Sequence, residues 1–306
     1  MIAAGPHGDG AGAAALRPAE SHYVEIRGLR YHFRHWRGDP ARRVVLLHGW
    51  MDVSASFQFL VDALSPGWDV YAPDWRGYGQ SDWGKSDCYW FPDYLADLDG
   101  LLEHVQPEAP VNLVGHSLGG NVASIYAGVR PERVARLVNL EGFGLPPTHP
   151  EQAPRRYARW LEELRDRPSL RAYTSFSGLA DRLQKNNPRL TRERAEYLAL
   201  HWGRETGDGQ VMLRSDPAHK IVNPLLYRYE EVRAIWQRVT APTLWVDTTE
   251  TDNLNRLKLT PEQHAERRAA FRNLRYVTVP EAGHMLHHDQ PARVARLIED
   301  FLREGR

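Results

Sequence analysis

The feature of this 306-residue chain that most restricts its fold is an alternation of short apolar runs with helical patterns. The apolar runs are bounded by Pro, Gly or charged residues and lie at 43–48, 68–72, 111–114, 134–140, 243–247 and 274–279. Short runs without polar alternation are typical of strands buried on both faces. Segments with helical periodicity alternate with them, at 54–64, 92–105, 121–129, 261–272 and 291–303. This alternation predicts an α/β fold with a mostly parallel, doubly wound sheet.

The alternation starts after an N-terminal segment and is interrupted once. Residues 1–20 are rich in Ala and Gly and lack the basic start and apolar block of a secretory signal, so we expect a flexible tail. Two alternating segments that flank Gly28 then predict an antiparallel hairpin. Between residues 146 and 236 helical patterns continue without a convincing buried strand. The sequence therefore predicts a core formed by 21–145 and 237–306, with a helical cap inserted at 146–236.

Composition excludes several kinds of partner. Lys and Arg together number 39, as do Asp and Glu, and this balance favours neither nucleic acid nor an anionic membrane as a partner. The single cysteine, Cys88, excludes an internal disulfide framework and a thiolate metal cluster. No run approaches the roughly 18 consecutive apolar residues of a membrane span. We expect a cytoplasmic protein, a monomer or homodimer, that acts on a small molecule.

The strongest local signal is a Gly-x-Ser-x-Gly motif centred on Ser117. It follows the apolar run 111–114 directly and precedes a helical pattern, which is the context that this motif requires. A sharp strand-to-helix turn lifts the serine hydroxyl off the edge of the sheet, and side chains two residues before or after it would collide. Gly115 and Gly119 meet this steric demand, and the following helix N-terminus favours developing negative charge. The motif therefore predicts that Ser117 is a nucleophile.

A nucleophilic serine also needs two donors that stabilise an oxyanion. The backbone N–H of Leu118, directly after the nucleophile, is one candidate. The other candidate is the N–H of Trp50 in the His48-Gly49-Trp50 segment that follows the first buried run. Gly49 would let the backbone approach the substrate closely.

With these pieces assembled, the chain resembles the α/β-hydrolase superfamily. The matching segments are 48–50, Asp74-Trp-Arg-Gly-Tyr-Gly-Gln-Ser81, 115–120 and Gly283-His284, in the order and spacing of the family. The resemblance covers residues from about 21 to 304 and implies an α/β-hydrolase fold with a helical cap after the sixth strand. It also implies a catalytic triad of serine, histidine and an acid, whereas the segment 74–81 resembles a structural turn.

The general base implied by the resemblance is His284. The chain has 14 histidines, but in this superfamily the base lies on the loop after the last strand, where His284 stands. His48 and His116 are neighbours of the site by motif, and together with Gly49 they are expected to shape the substrate pocket. A metal set of His284, His287 and His288 lacks an acidic or cysteine partner cluster, so no metal is expected.

The acid that orients His284 remains open between two positions. The usual family position, the loop after the seventh strand, contains Asp247, Glu250 and Asp252 without the usual spacing, and Asp252 is the best of them. The rival is Glu141, which follows the run 134–140 and precedes a glycine. An acid at that place is poorly explained as surface charge, and some family members take their acid from it. The sequence favours Glu141 over Asp252, with Glu250 third.

The identity of the nucleophile selects the chemistry. Epoxide hydrolases and haloalkane dehalogenases of this superfamily use an aspartate where this chain has Ser117, so neither activity is expected. The resemblance implies a cofactor-independent serine hydrolase of the carboxylesterase type, which cleaves an ester or related acyl bond. A C–C bond hydrolase or lyase with the same triad, and a weakly catalytic binding protein, remain alternatives. No nucleotide-binding motif is present, so no cofactor is expected.

Overall fold

The apolar runs form one eight-stranded sheet in the computed structural model, which describes residues 16–84 and 87–304. Its strands are β1 (Glu20–Ile26), β2 (Leu29–Trp36), β3 (Asp39–Leu47), β4 (Trp68–Pro73), β5 (Val111–His116), β6 (Val134–Leu140), β9 (Thr243–Thr248) and β10 (Leu274–Val279). Their order across the sheet is β1-β2-β4-β3-β5-β6-β9-β10. The pairs β1–β2 and β2–β4 are antiparallel, and all the others are parallel. The predicted α/β-hydrolase fold is confirmed.

Helices cover both faces of the sheet, as a doubly wound fold requires. The helices α1 (Gln58–Ala63) and α11 (Pro291–Arg303) pack on one face, whereas α2 (Phe91–Val105), α3 (Leu118–Val129), α7 (Tyr229–Trp236) and α9 (Pro261–Ala269) pack on the other. Two short helices, α8 (Asn253–Arg256) and α10 (Leu286–Asp289), lie in loops. Each face has its own apolar layer. Every large apolar side chain that is fully buried in such a layer stabilises the fold by about 1.5–3 kcal/mol.

The chain reverses direction across the sheet between β3 and β5. From β3 it passes to β4 on one side, and it then returns to place β5 on the other side. In open α/β sheets, ligands bind outside the carboxyl ends of the strands at such a switch point. The segments that follow β3 and β5 contain Gly49 and Ser117. The topology alone therefore brings the predicted nucleophile and oxyanion loop to one crevice.

The inserted region contains four α-helices, which are α4 (Ala153–Arg165), α5 (Phe176–Asn186), α6 (Arg192–Trp202) and, at its end, α7. It also contains an antiparallel pair of short strands, β7 (Gly203–Glu205) and β8 (Val211–Leu213), where the sequence predicted no strand. Strands of three residues are too short to display an alternating pattern, which explains the difference. At the end of the region, α7 packs against α3 as part of the layer on the sheet.

The cap helices α5 and α6 contact the core directly, whereas α4 is held by hydrogen bonds of 2.6 Å from Arg156 to the Asn223 carbonyl oxygen and from the Val222 N–H to Glu163. The helices α5 and α6 enclose a small apolar cluster that Phe59 of the core joins. Arg194 of α6 donates a hydrogen bond of 2.6 Å to the His288 carbonyl oxygen, and the Tyr197 hydroxyl donates to Gln58 Oε1 over 3.1 Å. None of the residues of α4 is buried.

Residues 1–15 of the predicted N-terminal tail lie outside the described residues. At its end, Arg17 donates hydrogen bonds to the Arg37 and Trp68 carbonyl oxygens over 2.8 and 2.6 Å, next to the start of β1. Within 16–84 and 87–304, no helix combines the length and the apolar character needed to cross a bilayer.

Candidate active site

Ser117 occupies a strained turn between β5 and α3. Its backbone has φ 52° and ψ −114°, a region that non-glycine residues rarely adopt. A Cβ at Gly115 would overlap the Gly119 carbonyl oxygen, and a Cβ at Gly119 would overlap the Leu47 carbonyl oxygen. The turn therefore requires glycine on both sides of Ser117, for the steric reason that the motif predicts.

His284 lies within hydrogen-bonding distance of Ser117. The His284 Nε2 is 3.0 Å from Ser117 Oγ, and His284 is on the loop between β10 and α10. The His116 Nε2–H donates to the His284 carbonyl oxygen over 2.7 Å, which ties this loop to the end of β5. A nitrogen of an imidazole ring at this distance can accept the proton of the serine hydroxyl.

Glu141 approaches the other side of the His284 ring. Its Oε2 is 3.3 Å from His284 Nδ1, and its backbone has φ 57°, again unusual for a non-glycine residue. Asn139 shapes the turn, because its side chain accepts from the Gly142 N–H over 2.8 Å and donates to the Gly142 carbonyl oxygen over 2.9 Å. The structure thus brings Ser117, His284 and Glu141 into one chain of contacts.

The end of β9 and the loop after it surround the Glu141 carboxylate with donors. Thr248 donates to Oε1 from its backbone N–H over 2.9 Å and from its hydroxyl over 3.1 Å. The Thr251 hydroxyl and the Asn253 amide donate to Oε2 over 2.6 and 3.2 Å, and the same Asn253 amide contacts His284 Nδ1. Sequence reasoning missed these three residues. The signal was their position, in the loop where the family usually places its acid.

The other candidate acids lie away from His284. Asp252 is exposed and accepts a hydrogen bond of 2.9 Å from the Asn255 amide. Glu250 pairs with Arg189 of the cap. Asp247 accepts from Trp245 Nε1 over 2.7 Å, and its other carboxylate oxygen lies 3.3 Å from His264 Nε2. Of the acids considered, the structure brings Glu141 to the histidine.

Burial dominates the ionisation of this group of residues. Burial lowers the pKa of His284 to about 4, so its ring is neutral at physiological pH and can act as a base. Burial raises the pKa of Glu141 to about 7, whereas the donors from Thr251, Thr248 and Asn253 oppose this rise. A perturbed acid and a perturbed histidine in contact are typical of a functional site.

The loop after β3 reaches the same crevice. Leu118 is the first residue of α3, where a backbone N–H has no partner within the helix. The Trp50 side chain is 52% exposed, and its Nε1 donates to the carbonyl oxygen of His219 in the cap region over 3.4 Å. A Cβ on Gly49 would lie 3.2 Å from Ser117 Cβ, so glycine permits this close approach.

The structure corrects the expected role of two histidines. His48 is fully buried, donates from Nδ1 to the Gly49 carbonyl oxygen over 2.8 Å and accepts from the Trp75 N–H over 3.0 Å. His116 is buried behind Ser117 and bonded to the His284 backbone. Both side chains hold loops of the site and do not face a pocket. The reason is that each imidazole is held inside the core by hydrogen bonds to neighbouring backbone groups.

Comparison with known proteins identifies the fold family of this chain. The family model described as the alpha/beta hydrolase fold matches residues 42–291. A serine hydrolase-like protein of Danio rerio is 28% identical over 277 residues, which cover 87% of this chain and 83% of that protein. An epoxide hydrolase 3 of Xenopus tropicalis is 27% identical, over 92% of this chain and 77% of that protein.

A solved structure gives the same result for the fold. The thioesterase domain from the curacin biosynthetic pathway superposes with a TM-score of 0.82 and 24% identity, over 92% of this chain and 99% of that one. At this level of identity the likeness concerns the fold alone. The extent of the family match, together with the sheet order and the turn at Ser117, leads to one conclusion: this chain belongs to the alpha/beta hydrolase fold family.

Proposed function

We propose that the protein is a cofactor-independent serine hydrolase that cleaves a carboxylic ester or a related acyl bond. The observation that carries the proposal is the pair of contacts at His284, 3.0 Å to Ser117 Oγ and 3.3 Å to Glu141 Oε2. A neutral histidine that bridges a serine hydroxyl and a buried carboxylate is the arrangement that activates serine for acyl transfer.

In the proposed reaction, Ser117 Oγ attacks the acyl carbon while His284 Nε2 takes the hydroxyl proton. The carbonyl π electrons move to oxygen, and the N–H groups of Trp50 and Leu118 stabilise that oxyanion. The tetrahedral intermediate collapses, and the leaving group departs with the proton from His284. A water molecule, deprotonated by His284, then attacks the acyl carbon, and the acid product is released as His284 returns the proton to Ser117 Oγ. Glu141 orients the imidazole and stabilises its protonated form.

The nucleophile distinguishes this proposal from the activities named for some relatives. Epoxide opening in this superfamily proceeds through an alkyl-ester intermediate on an aspartate, and Ser117 stands at that position. The likeness to epoxide hydrolase 3 therefore supports the shared fold and not the same reaction. The relative described as serine hydrolase-like agrees with the proposed nucleophile.

The proposed substrate is a small or medium-sized molecule that a cap can cover. The cap region mixes basic residues such as Arg155 and Lys185 with acidic ones such as Asp181, and this charged composition does not suit a lid that inserts into a membrane. Exposed apolar side chains on α4, Tyr157 and Leu161, supply apolar surface on a cap helix that has no buried residue. We further propose a cytoplasmic monomer or homodimer that acts without nucleic acid or membrane partners.

The test is turnover of three substrate classes by the wild type and Ser117→Ala. We expect the wild type to hydrolyse p-nitrophenyl esters or acyl thioesters of short to medium chain length, and Ser117→Ala to lose this activity by a factor on the order of 10⁵–10⁶. Cleavage of a β-diketone without ester hydrolysis would replace the proposal by the C–C hydrolase alternative. Binding of these compounds without turnover of any of them would favour a binding protein.

A further inference from the structure

Three buried side chains from three different loops meet behind Ser117. They are Asp52 after the oxyanion loop, His116 before the nucleophile and His287 after His284. One candidate ligand atom from each lies within 4.8 Å of the other two. The exposed fractions are 2% for Asp52, 1% for His116 and 0% for His287. We call this set the buried trio.

Asp52 Oδ1 accepts from the Val53 N–H over 2.7 Å, with Ser56 and Gly49 also beside this carboxylate, and His116 Nε2 is bonded to the His284 carbonyl oxygen. Four other polar atoms of the buried trio lack hydrogen-bond partners within the described part of the chain. These atoms are Asp52 Oδ2, His116 Nδ1 and both ring nitrogens of His287. Buried polar groups are almost always satisfied, because desolvation without a hydrogen bond is costly. Four such atoms in one place therefore point to a ligand that they share.

The tautomer of His116 makes one of these atoms a ready ligand. Its Nε2–H donates to the His284 carbonyl oxygen over 2.7 Å, so its Nδ1 carries a lone pair. A metal-binding histidine characteristically donates its other ring N–H to a backbone carbonyl in this way. A lone pair on one His287 nitrogen and an oxygen of Asp52 complete a set of two histidines and one carboxylate.

We propose that the buried trio binds one divalent transition-metal ion, with zinc as its typical occupant. Imidazole and carboxylate are ligands that zinc accepts, and two histidines with one carboxylate leave a fourth position for water. Ligand atoms around tetrahedral zinc are about 3.4 Å apart, so small side-chain rotations close the trio from its present spacing.

Charge and access are consistent with a cation at this place. Among the described residues, no Lys or Arg forms a salt bridge with Asp52, and the charged neighbour that acts on it is the carboxylate of Asp74. A divalent cation would neutralise the carboxylate charge and would bind the unpartnered ring nitrogens of the two histidines. Position 49 contributes no side chain against His116 Nδ1, since a Cβ on Gly49 would lie only 3.1 Å from that atom.

The sequence did not indicate this site because its ligands are not close in sequence. Asp52, His116 and His287 are separated by 64 and 171 positions and meet only through the order of the strands. The inference does not depend on the proposed hydrolase function, since the ligand set is defined by geometry alone.

The test must exclude a second cluster. Glu20, His22 and His35 also place candidate ligand atoms together, near the surface, and can bind zinc adventitiously. We therefore use His22→Gln as the background. In that background, Asp52→Asn and His287→Gln each remove one ligand of the buried trio and keep the size of the side chain. Protein is purified from zinc-supplemented medium, dialysed without chelator, and its metal content is measured by plasma mass spectrometry.

We expect about one zinc per chain in His22→Gln, and at least a tenfold lower zinc content in both double variants, with circular dichroism verifying that they are folded. Zinc-edge X-ray absorption of the His22→Gln protein needs no further variant, and it should show two imidazoles and oxygen ligands. Less than 0.1 zinc per chain in the His22→Gln background, unchanged content in the folded double variants, or a shell of oxygen alone would overturn the proposal. The last two results would leave an adventitious ion, and the first would leave a buried water as the shared ligand.

Discussion

Two non-glycine residues of the site, Ser117 and Glu141, share a positive φ directly after a buried strand. Their φ values are 52° and 57°, and such conformations cost about 1–3 kcal/mol each. Both side chains project from strand ends toward the same histidine, which places strain where the proposed chemistry occurs. An interpretation in which Ser117 and Glu141 have no function would have to explain why both neighbouring strands end in the same strained conformation.

Replacing Glu141 by Gln should lower kcat for ester hydrolysis on the order of 10³–10⁴-fold, because the neutral amide no longer stabilises the protonated form of His284. The matched control is Asp252→Asn, which changes an exposed acid that contacts Asn255. We expect kcat of the control to stay at the wild-type value. The reverse ranking of the two variants would remove Glu141 from its proposed role.

Asn253 allows a rescue experiment, because its amide contacts both Glu141 Oε2 and His284 Nδ1. In a Glu141→Gln background, Asn253→Asp would place a carboxylate beside His284. We expect kcat of this double variant to be at least tenfold higher than kcat of Glu141→Gln alone. Asn253→Asp in the wild type should lower kcat, since two carboxylates would then repel each other. If the double variant is no faster than Glu141→Gln alone, Asn253 lies too far from His284 to substitute for the acid.

The turn from β5 into α3 sets the position of Ser117 and has a steric test of its own. Gly119→Ala would force a methyl group against the Leu47 carbonyl oxygen, and overpacking of this kind costs about 1–3 kcal/mol or more. Gly207→Ala is the control, because a Cβ there meets nothing within 4 Å. Urea unfolding should show the loss only for Gly119→Ala. Equal free energies of unfolding for the two variants would contradict the close contact between this turn and β3.

At the scale of elements, the sequence predicted what local chemistry determines. The buried runs of β3, β5 and β6 and the glycines around Ser117 carry their own signals, so the sheet and the turn were predictable. The strands β7 and β8 were not, because three residues show no period. The donors Thr248 and Asn253 were not either, since their role depends on how β9 lies beside β6.

At the scale of the whole molecule, the protein contains a large set of buried histidines. The pKa is lowered by burial for His48, His116, His201, His219, His264, His284, His287 and His288. The unfolded chain binds protons on these groups near the ordinary pKa of about 6.5, whereas the folded chain resists them. The free energy of unfolding therefore decreases as pH falls below about 6.5, by up to about 1.4 kcal/mol per histidine and pH unit.

Buried acids act in the opposite direction but are fewer. Burial raises the pKa of Asp52, Glu141 and Asp247 to about 7, so these carboxyls stabilise the folded state as pH falls from 7 toward 4. The histidines outnumber them, and we expect a net decrease in the free energy of unfolding between pH 6.5 and 5. Urea unfolding in the presence of a chelator measures it. If the free energy of unfolding stays constant or increases as pH is lowered from 6.5 to 5, the histidines are protonated in the folded state.

The reactivity of Ser117 tests the central claim most directly. A fluorophosphonate modifies a serine only when a base and an oxyanion site activate it. Intact-protein mass spectrometry should show one adduct per wild-type chain, peptide analysis should place it on Ser117, and His284→Gln should slow its formation on the order of 10³-fold or more. The absence of an adduct on the wild type, an adduct on another residue, or an unchanged rate in His284→Gln would contradict the account.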